Sequence, residues 1–126
     1  MTSDTDQFSD QEILAMTAVG ESDDLGAEGM TETICTVINR AKANLKWMGG
    51  SNVRYVCLAH DQYDVWWPAT GNDDRQRVLD IAAKNPSYGP YVTALGIAAR
   101  AVAGDLPDVT NGAVSYYDSD ECAPPA

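Results

Sequence analysis

Ser9-Asp10-Gln11-Glu12-Ile13-Leu14-Ala15-Met16-Thr17-Ala18-Val19-Gly20, followed by Glu21, is the stretch on which the fold reading turns. Ser9 and Glu12 have the Ser-x-x-Glu spacing of a capping box, and Phe8 and Ile13 stand where a hydrophobic staple closes. The run therefore predicts a helix over about Asp10 to Gly20 that stops within a residue of Glu21. Behind it, Ser22-Asp23-Asp24-Leu25-Gly26 reads as a polar, flexible connection. A helix C-terminus carries partial negative charge, which disfavours a further negative charge on Glu21. Burial against Ile13, Leu14 and Thr17 would act in the same direction and raise its pKa. A carboxyl that keeps its proton near neutral pH can protonate a leaving oxygen, as glycosidase acids do. A solvated helix-end glutamate is the ordinary alternative for such a position.

Outward from this helix, periodicity predicts three more main helices. One runs from near Ala27 to Asn44, with Met30, Ile34, Val37, Ile38, Ala41 and Leu45 on one face and Trp47 extending the stripe. The next covers Asp73 to Lys84, with Val78, Leu79, Ile81 and Ala82 inward and Asn85-Pro86 as its stop. The last covers Tyr91 to Ala103, with Val92, Leu95, Ala98, Ala99 and Val102 inward and Gly104 as its C′ residue. Val53 to Leu58 reads as a helix of a turn or two, and Ala59 to Asn72 as irregular. Near the end, an Asn111-Gly112 turn precedes Ala113 to Tyr117, a short extended element. The fold class is mostly α, with a minor extended or β element. At 126 residues this is one domain with one core, flanked by an arm at 1–8 and a tail at 118–126.

Charge excludes some partners. The net charge is −11, with nine acidic and no basic residues from Met1 to Glu32, and five acidic and no basic from Asp105 to Ala126. Nucleic acid needs clustered Lys and Arg, which these regions lack. No apolar stretch is long enough to span a bilayer, so membrane insertion is not expected. Met1 to Asp10 is acidic and polar and does not read as a secretory signal peptide. Cys35 and Cys57 fall in apolar patterns and read as core residues; Cys122 lies in a Pro-rich tail, leaving a single Cys57–Cys122 bridge open.

Four segments in order resemble the spore-cortex-lytic (SleB-type) cell wall hydrolases. They are Gly20-Glu21-Ser22 with Glu28-Gly29-Met30; Val37-Ile38-Asn39-Arg40; Cys57-Leu58-Ala59-His60-Asp61-Gln62-Tyr63-Asp64-Val65-Trp66; and Ala98 to Gly104 leading to Asp108 to Tyr117. The resemblance spans Ile13 to Tyr117. It departs from the family at Ser115, where a His is usual, at Met30, where a Gln is common, and in the acidic residues after Glu21. It implies a small lysozyme-like helical domain acting on peptidoglycan glycan strands. It also implies Glu21 as catalytic acid/base, and Gln62, Tyr63 and Trp66 as glycan-binding groups, with Tyr116 and Tyr117 on the cleft wall. No cofactor or metal is implied, and a monomer is expected. The single-domain length and the acidic start suit a bacteriophage lysin acting in the host periplasm and cell wall, or a virion-associated enzyme.

Cleaving a β-1,4 glycosidic bond needs a proton on the leaving oxygen and stabilisation of an oxocarbenium-like centre. A hydrolase would add a second carboxylate, for which Asp23 and Asp24 are the neighbours in sequence. The resemblance suggests instead a lytic transglycosylase, whose single Glu acts first as acid and then as base on the muramoyl 6-hydroxyl. Core packing competes with sugar stacking for Trp66 and Trp67. Asn39 is expected to be partly buried and hydrogen-bonded, Arg40 to be a structural ion-pair partner, and Thr110 and Asn111 to shape a turn. A zinc amidase would need more ligands than His60 supplies. A Cys57–His60 peptidase needs an accessible thiolate, and no Ser lies in a nucleophile-turn motif. A non-catalytic glycan-binding module of the same shape is the remaining alternative.

Overall fold

A computed structural model of the chain describes residues 3–113. Five α-helices follow in order: α1 (Asp10–Ser22), α2 (Gly26–Ala43), α3 (Val53–Leu58), α4 (Asp74–Lys84) and α5 (Gly89–Val102). Short 3-10 turns at Asp23–Leu25 and Lys46–Met48 complete the regular structure, and no strand occurs among the described residues. The molecule is mostly helical. The expected extended element falls at 113–117, of which only Ala113 is described.

α1 is the hub. Ile13 through Val19 are all buried, so no face of this stretch meets solvent. Such a helix is stable only inside a sheath of others, and α2, α3, α4 and α5 all pack against it. Its start is the predicted capping box: the Glu12 N–H donates to Ser9 Oγ at 3.1 Å, and the Ser9 N–H to Glu12 Oε1 at 2.9 Å. Phe8 and Ile13 both join the core. Full burial of each large aliphatic side chain on this helix contributes roughly 1.5–3 kcal/mol.

Residues 3–8 pack against α3 and α4. Arg54 on α3 donates to Asp10 Oδ1 at 2.7 Å, to Thr5 O at 3.2 Å and to Phe8 O. Arg75 on α4 reaches Asp4 at 2.6 Å, and Thr5 and Phe8 are buried. The 22–26 connection is likewise ordered. Ser22 Oγ donates to Ala18 O and lies 2.9 Å from Thr33 Oγ1, so α1 runs through Glu21 and turns directly into α2.

Two apolar faces differ from the periodicity. Asn44 takes a left-handed conformation, φ 53°, which breaks the α2 stripe before Leu45. Leu45 and Trp47 are then exposed, and Met48 turns inward in their place. On α5 the buried residues are Tyr91, Ala94, Ala98 and Ala101, whereas Val92 and Val102 are more than half exposed. The helix starts at Gly89 and rotates to bury the Tyr91 ring, and the alanines allow close approach to neighbouring helices.

Candidate functional site

Glu21 sits in the last turn of α1, where no basic residue offsets the helix-end carbonyls. Gly20, immediately before it, has no side chain for a clear reason. A Cβ there would stand 2.1 Å from Val65 Cγ2 and 2.5 Å from Val65 Cβ. The 59–72 segment therefore lies directly on the last turn of α1. That contact brings the backbone N–H groups of Asp64 and Val65 to the Glu21 carboxyl as hydrogen-bond donors.

The electrostatics follow from this placement. Burial is the largest influence and disfavours the charged form; the neighbouring Asp64 carboxylate pushes the same way. The two backbone donors oppose them, and the Asp74 charge adds a smaller upward push. Together they raise Glu21 from 4.5 to about 7. A carboxyl poised there can give up a proton at neutral pH and take it back.

Asp64 is thus the second carboxylate of the site, and the sequence gives no local sign of it: 43 positions separate it from Glu21. Asp23, the neighbour in sequence, is held elsewhere. Arg77 donates to both its oxygens, at 3.2 and 3.3 Å, and the Tyr88 hydroxyl donates to Oδ2 at 2.9 Å. Asp23 ties the end of α1 to α4 and to the start of α5. Asp24 is exposed in the 3-10 turn.

Of the residues expected to bind glycan, Tyr63 and Trp66 are placed in the core, where little of either ring is exposed. Tyr63 is 2% exposed; its hydroxyl lies 2.9 Å from Thr36 Oγ1, and the Arg40 guanidinium covers its ring at 4.7 Å. Burial raises its phenol far above the usual range. Trp66 is 3% exposed, and its indole N–H donates to Thr17 Oγ1 at 2.8 Å. Both rings carry one polar atom, and threonines on α1 and α2 satisfy those atoms inside, so both rings can be buried whole. Gln62 is partly buried: it accepts from Arg40 Nη1 at 3.5 Å and donates to His60 O at 3.3 Å. Tyr116 and Tyr117 lie outside the described residues. Trp67, next to Trp66, is 43% exposed, and its indole N–H donates to Leu58 O at 3.2 Å.

Asn39 behaves as expected, donating to Asp108 Oδ2, Thr110 Oγ1 and Ala113 O at 2.9–3.2 Å. This pins 108–113 onto α2. Asp108 also accepts from the Thr110 and Gly112 N–H groups, and Asn111 takes a positive φ in the turn. Slight burial works against its ionisation, but the hydrogen bonds from Thr110, Gly112 and Asn39 outweigh it and hold its carboxyl below the usual range. Arg40 is buried, bonded to Gln62 and stacked on Tyr63.

The competing nucleophile fares poorly. Cys57 is fully buried and is a free thiol, and burial pushes it up to about 12. It offers no thiolate for a peptidase near neutral pH.

Cavities walled by described residues include two that Glu21 does not line. One of about 290 Å³ is walled by Ser3, Thr5, Leu58, Trp66, Trp67 and Arg75. Another, of about 200 Å³, lies between α2, α5 and the 104–108 segment. Among the described residues, no His, Cys, Asp or Glu cluster has the makings of a metal site, and no helix is long and apolar enough to cross a membrane. Comparison of the chain with family models, curated proteins and solved structures finds no match.

Proposed function

We propose that this chain cleaves the β-1,4 bond between N-acetylmuramic acid and N-acetylglucosamine in peptidoglycan, as a lytic transglycosylase with Glu21 as its single acid/base. The observation that carries the reading is the setting of Glu21: a partly buried carboxyl at a helix end, faced by two backbone N–H donors and held near 7. In the first step the Glu21 proton passes to the glycosidic oxygen as the bond from that oxygen to the muramoyl anomeric carbon breaks. The N–H groups of Asp64 and Val65 then stabilise the carboxylate left behind. In the second step that carboxylate takes the proton of the muramoyl 6-hydroxyl. The hydroxyl's own oxygen, freed of its proton, bonds to the anomeric carbon and leaves a 1,6-anhydro end. The resemblance to spore-cortex-lytic hydrolases supports the same substrate and the same acid. It also supports the lysozyme-like fold.

A second reading has its own observation. The Asp64 carboxylate is the charge that acts most strongly on Glu21, so a hydrolytic muramidase would use Asp64 beside Glu21 as its carboxylate pair. Digestion of purified sacculi tests both. Glu21→Gln is expected to lower the rate by roughly 10²–10⁴-fold, and mass spectrometry of the parent digest is expected to show anhydro-muramic ends. Reducing ends would select the hydrolytic reading. An E21Q variant that digests at the parent rate would remove Glu21 as the acid, and a parent that digests nothing would leave a glycan-binding module as the function.

A further inference from the structure

The 290 Å³ cavity between the N-terminal turn and the 59–72 segment stands apart from Glu21, and its walls are chemically uneven. One side is aromatic. Trp67 is fixed by its indole N–H bond to Leu58 O and by the His60 ring, whose centroid lies 4.6 Å away at 65°. With that N–H engaged, its exposed surface is carbon. Trp66, which also lines the cavity, has the Arg75 guanidinium over its ring at 5.6 Å and is almost wholly buried. The stacking surface is therefore Trp67.

The other side is a linked set of donors and acceptors. Ser3 Oγ lies 3.0 Å from Thr5 Oγ1 and 3.3 Å from Asp4 Oδ1, and Arg75 Nη2 donates to the same Asp4 oxygen at 2.6 Å. A guanidinium has five N–H donors, so this bond uses only part of what Arg75 offers. Its charge is matched by Asp4, and the chain carries −11 overall, so the cavity does not favour an anion. A neutral polyol ring fits all three features: its C–H face needs an aromatic plane, its hydroxyls both donate and accept, and its size suits a cavity at the small end of ligand sites.

We propose that this cavity is a sugar subsite, which takes one N-acetylhexosamine ring of the glycan strand, stacked on Trp67 and hydrogen-bonded by Ser3, Thr5 and Arg75. The glycan identity rests on the proposed function; the site itself does not require Glu21. The Trp67 backbone N–H donates to Asp64 O at 3.0 Å, so one turn of chain links the subsite to the residue that flanks Glu21.

Calorimetric titration with tri-N-acetylglucosamine tests the assignment, alongside sacculus digestion. The parent is expected to bind the trisaccharide. Trp67→Ala is expected to weaken binding at least roughly tenfold, and Trp67→Phe, which keeps a ring, to retain most of it. Thermal melts check that both variants fold. No binding by the parent, or equal binding by a folded W67A, overturns the subsite whether or not sacculi are cleaved. Binding lost in W67A but intact in a parent that cleaves nothing upholds the subsite and sinks the enzymatic reading. If W67A alone unfolds, W67F decides: unchanged affinity supports stacking on the ring, and a tenfold loss overturns it.

Discussion

At the scale of a residue, Glu21 shows how a common side chain acquires an uncommon proton affinity. Position in sequence supplies the helix end; only folding supplies the desolvation and the Asp64 charge, which dominate. The same shift has a consequence for stability. The unfolded carboxyl ionises near 4.5 and the folded one near 7, so between these values the folded state binds more protons. Stability linked to Glu21 is complete below about 4.5 and is lost as pH rises through 7. Replacing Glu21 with Gln removes that cost. E21Q is expected to be more stable than the parent at pH 8 by on the order of 2 kcal/mol, discounted for solvent screening. The difference should vanish near pH 4. Paired thermal melts at the two pH values check this, and a pH-independent difference would contradict it.

At the scale of an element, the last turn of α1 and the 59–72 segment form one unit. The segment contains little regular structure, yet Val65 and Trp66 are buried and the Asp64 and Val65 N–H groups are used. Gly20 makes this possible. Gly20→Ala forces Val65 away, since the new Cβ would lie 2.1 Å from its methyl. The expected cost is about 1–3 kcal/mol, as for overpacked cores generally. Chemical denaturation measures it. A drop in the pKa of Glu21, seen by carbon-detected NMR, should accompany it, because the displaced segment no longer buries the carboxyl. A helix-favouring gain in stability from the Gly-to-Ala change would contradict the close contact.

At the scale of the whole molecule, the architecture is a buried hub helix with its sheath locked by a few polar ties. Arg54 fastens 3–10 to α3, Asn39 fastens 108–113 to α2, and Asp23 joins the end of α1 to Arg77 and Tyr88. Each tie links elements far apart in sequence. Asp23→Asn keeps the shape but weakens the clamp. It is expected to lower stability by roughly 1–2 kcal/mol while leaving the rate of sacculus digestion within about twofold at 25 °C. A rate loss as large as that of E21Q would return Asp23 to the chemistry.

What the sequence by itself determined was local. The capping box, the helical periods, the stops at Asn85-Pro86 and Gly104, and the helix-end position of Glu21 all arise from residues within a turn or two of each other, and short-range hydrogen bonding fixes them. Tertiary structure decided the rest. It chose Asp64 over Asp23 as the neighbour of Glu21, buried Tyr63 and Trp66 while leaving Trp67 at the surface, and rotated α5 to cover Tyr91. Those outcomes depend on which side chain finds a partner across the core: Thr17 for Trp66, Thr36 for Tyr63, Arg77 for Asp23. Spacing along the chain carries no measure of distances across it, so the helix-end glutamate was legible and its surroundings were not.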